Sequence, residues 1–373
     1  MIPACRRPPP WAGRASAPRP QTISALDDPD GVWHALLTAC DGNRDLDALR
    51  TGLADAGHEL PARDIRSGLD ALADAGFLVD GPVDVDDPWA NQRAYLEQFA
   101  GPEAPADAML AAVRDTSVLI LGAGGVGSWL AHALALMGVR QIVVVDPDVV
   151  EPANRTRQLY TADAVGTRKI EALGASLRAH RPDLAYRGVD LLVTDPADLV
   201  ALLDDVDVVA GCADQPSSDE AALLVARACV ASRTPHTAAV YAGAVVRIGP
   251  TWIPRRRPPA CHGCLQLVRD RDADAWSSPT AAEVRDARPQ RAAVTVAQAQ
   301  LVASLAAAEI LHLRAGLTPA AAGHVVALDL RTLRSFRSRV ARQRDCDVCG
   351  TRTPAALRGR RTEPTTRREE VMA

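Results

Sequence analysis

The stretch that decides the fold runs from residue 117 to residue 146 and reads SVLILGAGGVGSWLAHALALMGVRQIVVVD. Its apolar start, residues 117–121, predicts a buried strand, and residues 126–137 have the spacing of a helix. A second apolar run at residues 141–146 predicts the next strand. Strand, glycine-rich turn, helix and strand in this order indicate a mononucleotide-binding unit of a parallel sheet.

The alternation of strands and helices continues downstream. The sequence predicts helices at residues 167–180 and 197–203, and strands near Tyr186 and at residues 207–211. Longer β segments follow at residues 236–254, then a helix at 294–315 and a late strand at 324–333. This spacing predicts an α/β fold with a doubly wound, Rossmann-like sheet.

Composition divides the chain into four parts. Residues 1–20 are rich in Pro and Arg and predict a disordered lead-in without the apolar core of a signal peptide. Residues 21–87 predict a small winged-helix module of three amphipathic helices and a short hairpin. Residues 88–350 form the α/β domain, and residues 351–373 predict a disordered, Arg-rich tail.

Charge limits the partners of the predicted winged-helix module. Between Asp27 and Asp87 there are fifteen acidic residues and four arginines. Such a segment repels phosphates, which argues against nucleic acid and favours a peptide or protein partner. We read no apolar run long enough to cross a membrane, so the expected location is the cytoplasm.

The glycine loop predicts a nucleotide site. In residues 122–127, GAGGVG, Gly122 permits the tight turn, Gly124 lets the backbone approach a phosphate, and Gly127 allows close packing of helix on strand. Gly125 belongs to the same cofactor-binding loop. The helix N-terminus favours phosphates, and Asp146 can accept hydrogen bonds from ribose hydroxyls. This much suits an adenine nucleotide in general, including the cofactor of an NAD-dependent oxidoreductase.

The residues after Asp146 indicate which class of adenine-nucleotide-binding protein the glycine loop belongs to. The chain reads DPDVVEPANRTRQLY from Asp146, and GTRK ends at Lys169, the single lysine of the sequence. The polar residues of this segment are Asp146, Asp148, Asn154, Arg157, Gln158 and Lys169. This pattern resembles the ThiF/MoeB/HesA family of adenylyltransferases, which are related to ubiquitin-activating enzymes. The resemblance implies ATP as cosubstrate, Mg²⁺ as cofactor and a homodimer.

The same resemblance implies roles for single residues. Arg157 and Lys169 bind the triphosphate, and Asn154 helps to position it, because cations must face the charge that develops on pyrophosphate. Asp214, in GCADQ, binds magnesium, although Gln215 and Pro216 replace the usual Asp-Asn that follows. Arg93, in NQRAYLEQF, is the arginine that completes the pocket from the segment before the sheet.

Two CxxC pairs predict a metal site. Cys261 and Cys264 form the first pair, and Cys346 and Cys349 form the second. Four thiolates suit tetrahedral, structural Zn²⁺, and the resembled family carries zinc at this place. Residues 265–345 contain no cysteine, so we expect no catalytic cysteine in the crossover loop. The product would then be a free acyl-adenylate.

The segments PACHGCLQLVRDRDADAW, LDLRTL and CDVCG resemble ThiF-like proteins of modified-peptide (thiazole/oxazole) biosynthesis. In that group a winged helix binds the leader of a precursor peptide. One hypothesis is therefore an adenylyltransferase that activates a carboxyl or amide oxygen of a ribosomal peptide or small carrier protein. The alternative is a non-catalytic partner that presents the precursor peptide to a YcaO-type cyclodehydratase.

Overall fold

The computed structural model describes residues 28–42, 44–74, 77–78, 87–101, 104–255, 257–271 and 294–350. The chain divides into two compact units, Met1–Ala106 and Asp107–Ala373.

The first unit is helical in its described part. Its helices are α1 (Val32–Ala39), α2 (Leu46–Asp55), α3 (Ala62–Asp74) and α4 (Ala90–Glu97). Leucine and isoleucine side chains of α1, α2 and α3 are buried and form a small core of Leu36, Leu53, Ile65 and Leu72. The three helices predicted before residue 75 are therefore confirmed. The predicted wing falls largely on residues 79–86, outside the described residues, so the winged helix stays a prediction.

The second unit is built on one eight-stranded sheet in the order β3-β2-β1-β4-β5-β6-β7-β8. Its strands are β1 (Ser117–Leu121), β2 (Gln141–Val145), β3 (Ala185–Val189), β4 (Val208–Gly211), β5 (His236–Ala242), β6 (Val245–Ile248), β7 (His324–Asp329) and β8 (Arg334–Arg339). The first five in sheet order run parallel, as predicted, and β1 pairs with β2 on one side and β4 on the other.

Helices cover both faces of the parallel half. They are α5 (Ala106–Arg114), α6 (Gly125–Leu136), α7 (Lys169–His180), α8 (Pro196–Val200), α9 (Ser218–Ser232), α10 (His262–Arg271) and α11 (Val296–Arg314). Successive strand residues point to opposite faces. Ile120 therefore packs in the core with α6, α7 and α11, whereas Leu119 packs in the core with α8 and α9.

Helix α11 is long and apolar enough, by length and composition, to cross a membrane, which corrects the expectation that no apolar run reaches that length. Half of its apolar window is buried in the protein, where it packs on α6, β5 and β6. Its buried small residues, such as Ala303 and Ala307, explain the close approach to the sheet. The helix is thus accounted for as a core helix of this domain.

The antiparallel half corrects one prediction. The single late strand expected at residues 324–333 ends at Asp329, and the chain turns through Leu333, whose φ is 56°. Residues 334–339 then form β8, an edge strand with three arginines and almost no buried residue. Alternating apolar residues are the signal of a half-buried strand, and an exposed edge strand does not carry it.

Gly127 of α6 lies against the end of β1, where there is no room for a side chain. A Cβ atom at this position would lie 1.8 Å from the carbonyl oxygen of Gly122 and 3.3 Å from the Ile120 side chain. Such an overlap with backbone cannot be relieved by a rotamer change. Only glycine lets the helix start directly on the end of the strand.

We predict that Gly127→Ala lowers the free energy of unfolding of the second unit by about 3 kcal/mol, as strong overpacking does. This loss of stability would be measured by thermal unfolding of the wild type and the variant, monitored by circular dichroism. Gly52→Ala in α2 is the matched control, because a Cβ there meets only the flexible Arg44 side chain at 3.6 Å. This control should be neutral or stabilising by up to about 1 kcal/mol. Equal effects of both changes would contradict the role given to Gly127.

Candidate active site

A cavity of about 500 Å³ opens at the carboxyl ends of the parallel strands. This is the edge at which open α/β sheets bind ligands. Most of the residues predicted for the nucleotide site line this one cavity: Gly122, Gly124, Gly125, Asp146, Asp148, Asn154, Arg157, Gln158, Lys169 and Asp214. The sheet topology therefore brings together residues that are up to 92 positions apart in the chain.

The glycine loop forms one wall of the cavity. Gly122 has φ +99°, and a Cβ there would lie 2.9 Å from the backbone nitrogen of Ala213. Gly124 is the N-cap of α6, so the first N–H groups of the helix lie at the cavity without a side-chain cap. Uncapped N–H groups and the helix dipole favour a phosphate at this point. Gly127 packs on Gly122 and does not line the cavity.

Asp146 joins the glycine loop to the end of β2. It is 6% exposed, and its carboxylate accepts hydrogen bonds from the N–H groups of Ala123 (2.6 Å) and Asp148 (2.9 Å). Burial raises the pKa of Asp146, whereas the nearby Lys169 and the two N–H groups lower it. The sequence predicts a ribose contact for this carboxylate. The structure adds that the same carboxylate fixes two loops of the site.

Lys169 points into the site. It begins α7, its side chain is 8% exposed, and its Nζ donates to the Asp148 carboxylate over 2.7 Å. Its backbone N–H donates to the carbonyl oxygen of Asp148 over 2.9 Å. A lysine on a free surface would be solvated, whereas this one is buried against an acid in the wall of the cavity.

A 3-10 turn, Pro152–Thr156, carries the next polar residues. The buried Asn154 accepts at Oδ1 from the Glu151 N–H (2.9 Å), and this bond closes the turn. Arg157 follows the turn, and its Nη1 donates to the Ala153 carbonyl over 3.0 Å. Gln158 is 6% exposed, and its Oε1 has no hydrogen-bond partner among the described residues. A buried amide oxygen at the edge of a cavity is an acceptor that a ligand or water can satisfy.

Asp214 and Arg93 differ in their placement. Asp214 is exposed on the loop that follows β4 and lines the cavity, and its binding of magnesium stays a prediction. Arg93 lies on α4 in the other compact unit, where its guanidinium pairs with Asp87. The role of Arg93 in the site therefore stays a prediction.

Three cavity features were not predicted from the sequence. Leu191, Leu192 and Val193, just after β3, form an apolar wall. Tyr241 lines the cavity from β5. Cys212 also lines it, and burial raises the pKa of its thiol to about 12, so the thiol stays protonated at neutral pH. The signal available for the apolar wall and for Cys212 was their position just after a predicted strand, whereas Tyr241 lies inside the β segments predicted at residues 236–254 and carries no such signal.

Taken together, the walls offer complementary chemistry. Two cations and a helix N-terminus suit a polyphosphate, and the acids Asp146, Asp148 and Asp214 suit ribose hydroxyls or a divalent cation. The apolar wall suits a flat heterocycle. The residues present therefore fit magnesium-ATP.

The four cysteines of the CxxC pairs meet in a separate buried cluster. Their Sγ atoms all lie within 4.8 Å of one another, with separations of 4.0 Å (Cys261–Cys264), 3.7 Å (Cys261–Cys346) and 3.4 Å (Cys264–Cys349). Four sulfurs around a zinc ion at 2.3 Å would stand about 3.8 Å apart. The cluster therefore has the composition and the size of a closed zinc site.

We predict one zinc ion per chain by metal analysis. The variant Cys346→Ser/Cys349→Ser should lose the ion, and its free energy of unfolding should fall by about 4 kcal/mol or more, as loss of a structural metal does. Cys229→Ser is the matched control, because this thiol is buried outside the cluster. An unchanged zinc content in the double variant would contradict the assignment.

The ThiF family matches residues 95–350 of the chain. Among curated proteins, the molybdopterin-synthase adenylyltransferase of Escherichia coli (strain K12) is 29% identical over 242 residues, which are 64% of this chain and 89% of that protein. The adenylyltransferase and sulfurtransferase MOCS3 of Sus scrofa is 33% identical over 263 residues, 69% of this chain. The chain spans about half the length of MOCS3, namely 53%.

Solved structures share the fold. E. coli MccB with MccA-N7isoASN has a TM-score of 0.68 at 20% identity, covering 86% of this chain and 90% of that one. E. coli MccB with ATP has a TM-score of 0.67 at 19% identity, with the same coverage.

The family match over more than half of the chain confirms the family predicted from the sequence. The chain therefore belongs to the ThiF family, and its curated relatives include adenylyltransferases.

Proposed function

We propose that the chain is an ATP-dependent adenylyltransferase that activates a carboxyl or amide oxygen of a ribosomal peptide or small carrier protein. The observation that carries the proposal is the single cavity at which Arg157, Lys169, Asp214 and the uncapped start of α6 meet. A site for an uncharged or weakly charged ligand would not need two cations against a helix N-terminus. Family membership and the relatives named above support the same activity.

In this proposal each wall of the cavity binds one part of ATP. The adenine lies along the apolar wall of residues 191–193, and the ribose hydroxyls donate to Asp146. Asn154 and Gln158 face the phosphates, which lie over the start of α6 next to Arg157 and Lys169. Asp148 and Asp214 are the acids available to Mg²⁺, and Arg93 remains a candidate for the triphosphate. The thiol cluster holds Zn²⁺ in a purely structural role.

The proposed reaction is a direct attack of the substrate on ATP and needs no covalent enzyme intermediate. A substrate carboxylate oxygen attacks the α-phosphorus of ATP and forms a new P–O bond. The bond from the α-phosphorus to the bridging oxygen breaks, and pyrophosphate leaves with that oxygen. Cations already in place stabilise the charge on the leaving group. Cys212 is protonated and residues 265–345 lack cysteine, so the acyl-adenylate is the product.

The two alternatives explain the site less well. An NAD-dependent oxidoreductase would use Asp146 for the ribose but would not need Asn154, Arg157 and Lys169. A non-catalytic partner that presents a peptide to a YcaO-type cyclodehydratase would not need a lysine buried against an acid in the cavity. Both alternatives predict that the positive charges of Arg157 and Lys169 can be removed without loss of function.

We predict that Lys169→Ala weakens magnesium-ATP binding at least about tenfold, because a charge-assisted hydrogen bond to phosphate is lost. Calorimetric titration measures the effect without knowledge of the substrate. Arg178→Ala is the matched control, because it removes an exposed cation from the same helix, two turns away. Equal affinity in wild type and Lys169→Ala would contradict the assignment of Lys169. No ATP binding to the wild type would contradict the proposed activity.

The peptide partner is proposed from two observations. E. coli MccB, which shares the fold, has been crystallised with MccA. The first unit of this chain carries an excess of eleven acidic residues between Asp27 and Asp87 and packs as a small helical module. We propose that this unit binds a precursor or leader peptide, or a small carrier protein, and that the enzyme acts as a homodimer.

We predict that deletion of residues 1–85 removes binding of the precursor peptide and leaves magnesium-ATP binding unchanged. The peptide to use is the product of a short open reading frame next to the gene, labelled for fluorescence anisotropy. The full chain is the reference, and its titration with a scrambled peptide is the control. Full peptide affinity in the truncated chain would exclude the first unit as the binding module.

A further inference from the structure

Asp219 lies at the centre of a charged cluster at the start of α9. The Nη1 of Arg269 donates to both of its carboxylate oxygens, over 3.1 and 3.0 Å. The Nη2 of Arg247 and the Nε2 of His262 lie 3.5 and 3.4 Å from its Oδ1. The His262 contact and the two guanidinium groups hold the pKa of Asp219 below its usual range. The carboxylate therefore stays ionised, and it ties α9 to α10 and β6.

Two partners of Asp219, His262 and Arg269, belong to the helix that carries the first pair of thiols. Helix α10 begins at His262, between Cys261 and Cys264. These two cysteines share a buried cluster with Ala226 of α9. The start of α10 is thus fixed by buried packing as well as by charge. Asp219 therefore binds to a helix that can serve as an anchor.

A short loop joins β4 to α9 and carries Asp214 into the wall of the cavity. At the first residue of this loop, the Cys212 N–H donates to the carbonyl oxygen of Leu121 over 2.9 Å. At its last residue, the Ser217 hydroxyl caps α9 by accepting from the Glu220 N–H over 3.2 Å. Since both ends of the loop are held, the position of the start of α9 determines where Asp214 stands.

We propose that Asp219 is a positioning residue, which anchors the start of α9 to α10 and so holds Asp214 at the cavity for Mg²⁺. The inference rests on the proposed function, because that function places Mg²⁺ near Asp214. Magnesium demands near-ideal octahedral geometry, so a small shift of one carboxylate weakens its binding. An anchor that fixes the carboxylate before the ion binds reduces this loss.

An acid in the first turn of a helix can also act on the helix dipole alone. Glu220 fits that description, since it is exposed and its carboxylate accepts from the Ser217 hydroxyl over 2.7 Å. The half-buried Asp219 differs, because three side chains from α10 and β6 surround its carboxylate. Charges that form such a network contribute more than a single exposed pair. The two acids are therefore a matched pair, with the same charge and the same helix turn but different contacts.

The test is calorimetric titration of ATP into the full chain, with and without Mg²⁺. We expect Asp219→Asn to weaken magnesium-ATP binding about tenfold, the effect of lost hydrogen bonds between charged groups. Binding of ATP without Mg²⁺ should not change, because the other walls of the cavity stay in place. Glu220→Gln is the matched control and should leave both affinities unchanged. Arg269→Gln, which keeps Asp219 beside Arg247, should weaken magnesium-ATP binding by a smaller factor.

Each outcome decides the question. Wild-type affinity for magnesium-ATP in Asp219→Asn overturns the positioning role and leaves the proposed function intact. Equal losses with and without Mg²⁺, or an equal loss in Glu220→Gln, also overturn it, since the effect is then on the whole domain or on the dipole of α9. Thermal unfolding checks that Asp219→Asn is folded, and if it is not, Arg269→Gln decides by the same criteria.

The wild type separates this inference from the proposed function. A wild type that binds no ATP overturns the proposed function and this inference together. ATP binding that Mg²⁺ does not strengthen overturns only the inference, because Asp214 then holds no ion for Asp219 to support.

Discussion

The candidate site depends on one buried carboxylate. Asp146 accepts from the N–H groups of Ala123 and Asp148, so it ties the glycine loop after β1 to the loop after β2. Asp148 in turn accepts both the backbone N–H and the side-chain ammonium of Lys169, which begins α7. Tyr160 donates to the carbonyl oxygen of Ala123 from the other side. A single acid thus connects the glycine loop and the loop after β2, which both line the cavity.

This arrangement explains how a charged cavity stays compatible with a buried sheet. The strands below the cavity are apolar on both faces, and their carboxyl ends leave backbone groups that need partners. Asp146 supplies an acceptor for two of the N–H groups, and the Asp148 carboxylate pairs with the Lys169 side chain over 2.7 Å. The polar network therefore provides hydrogen-bond partners for backbone N–H groups just after the strands. The charged side chains of Arg157 and Asp214 line the same cavity, where a ligand can reach them.

The parallel half of the sheet and most of the cavity could be predicted from the sequence, because their signals are local. Asp146, Asn154, Arg157 and Lys169 lie within 24 residues, and the glycine loop marks where their strand edge is. The thiol cluster was predictable across 85 residues because each CxxC pair fixes half of a tetrahedral site. Tyr241 and β8 could not be predicted in the same way. An aromatic residue on a strand is more often a core residue, and an exposed, arginine-rich edge strand has no alternating pattern. The placement of Arg93 depends on how two units assemble, which no local pattern encodes.

The wide spacing of the thiol pairs has a consequence for biosynthesis. Cys346 and Cys349 leave the ribosome 85 residues after their partners, and the intervening chain supplies α11, β7 and β8. At a synthesis rate of about 5–20 residues per second, this delay lasts several seconds or more. The glycine loop and the parallel strands are complete throughout that interval. A metal can therefore be held by all four thiols only after the whole parallel half of the sheet and α11 have been synthesised.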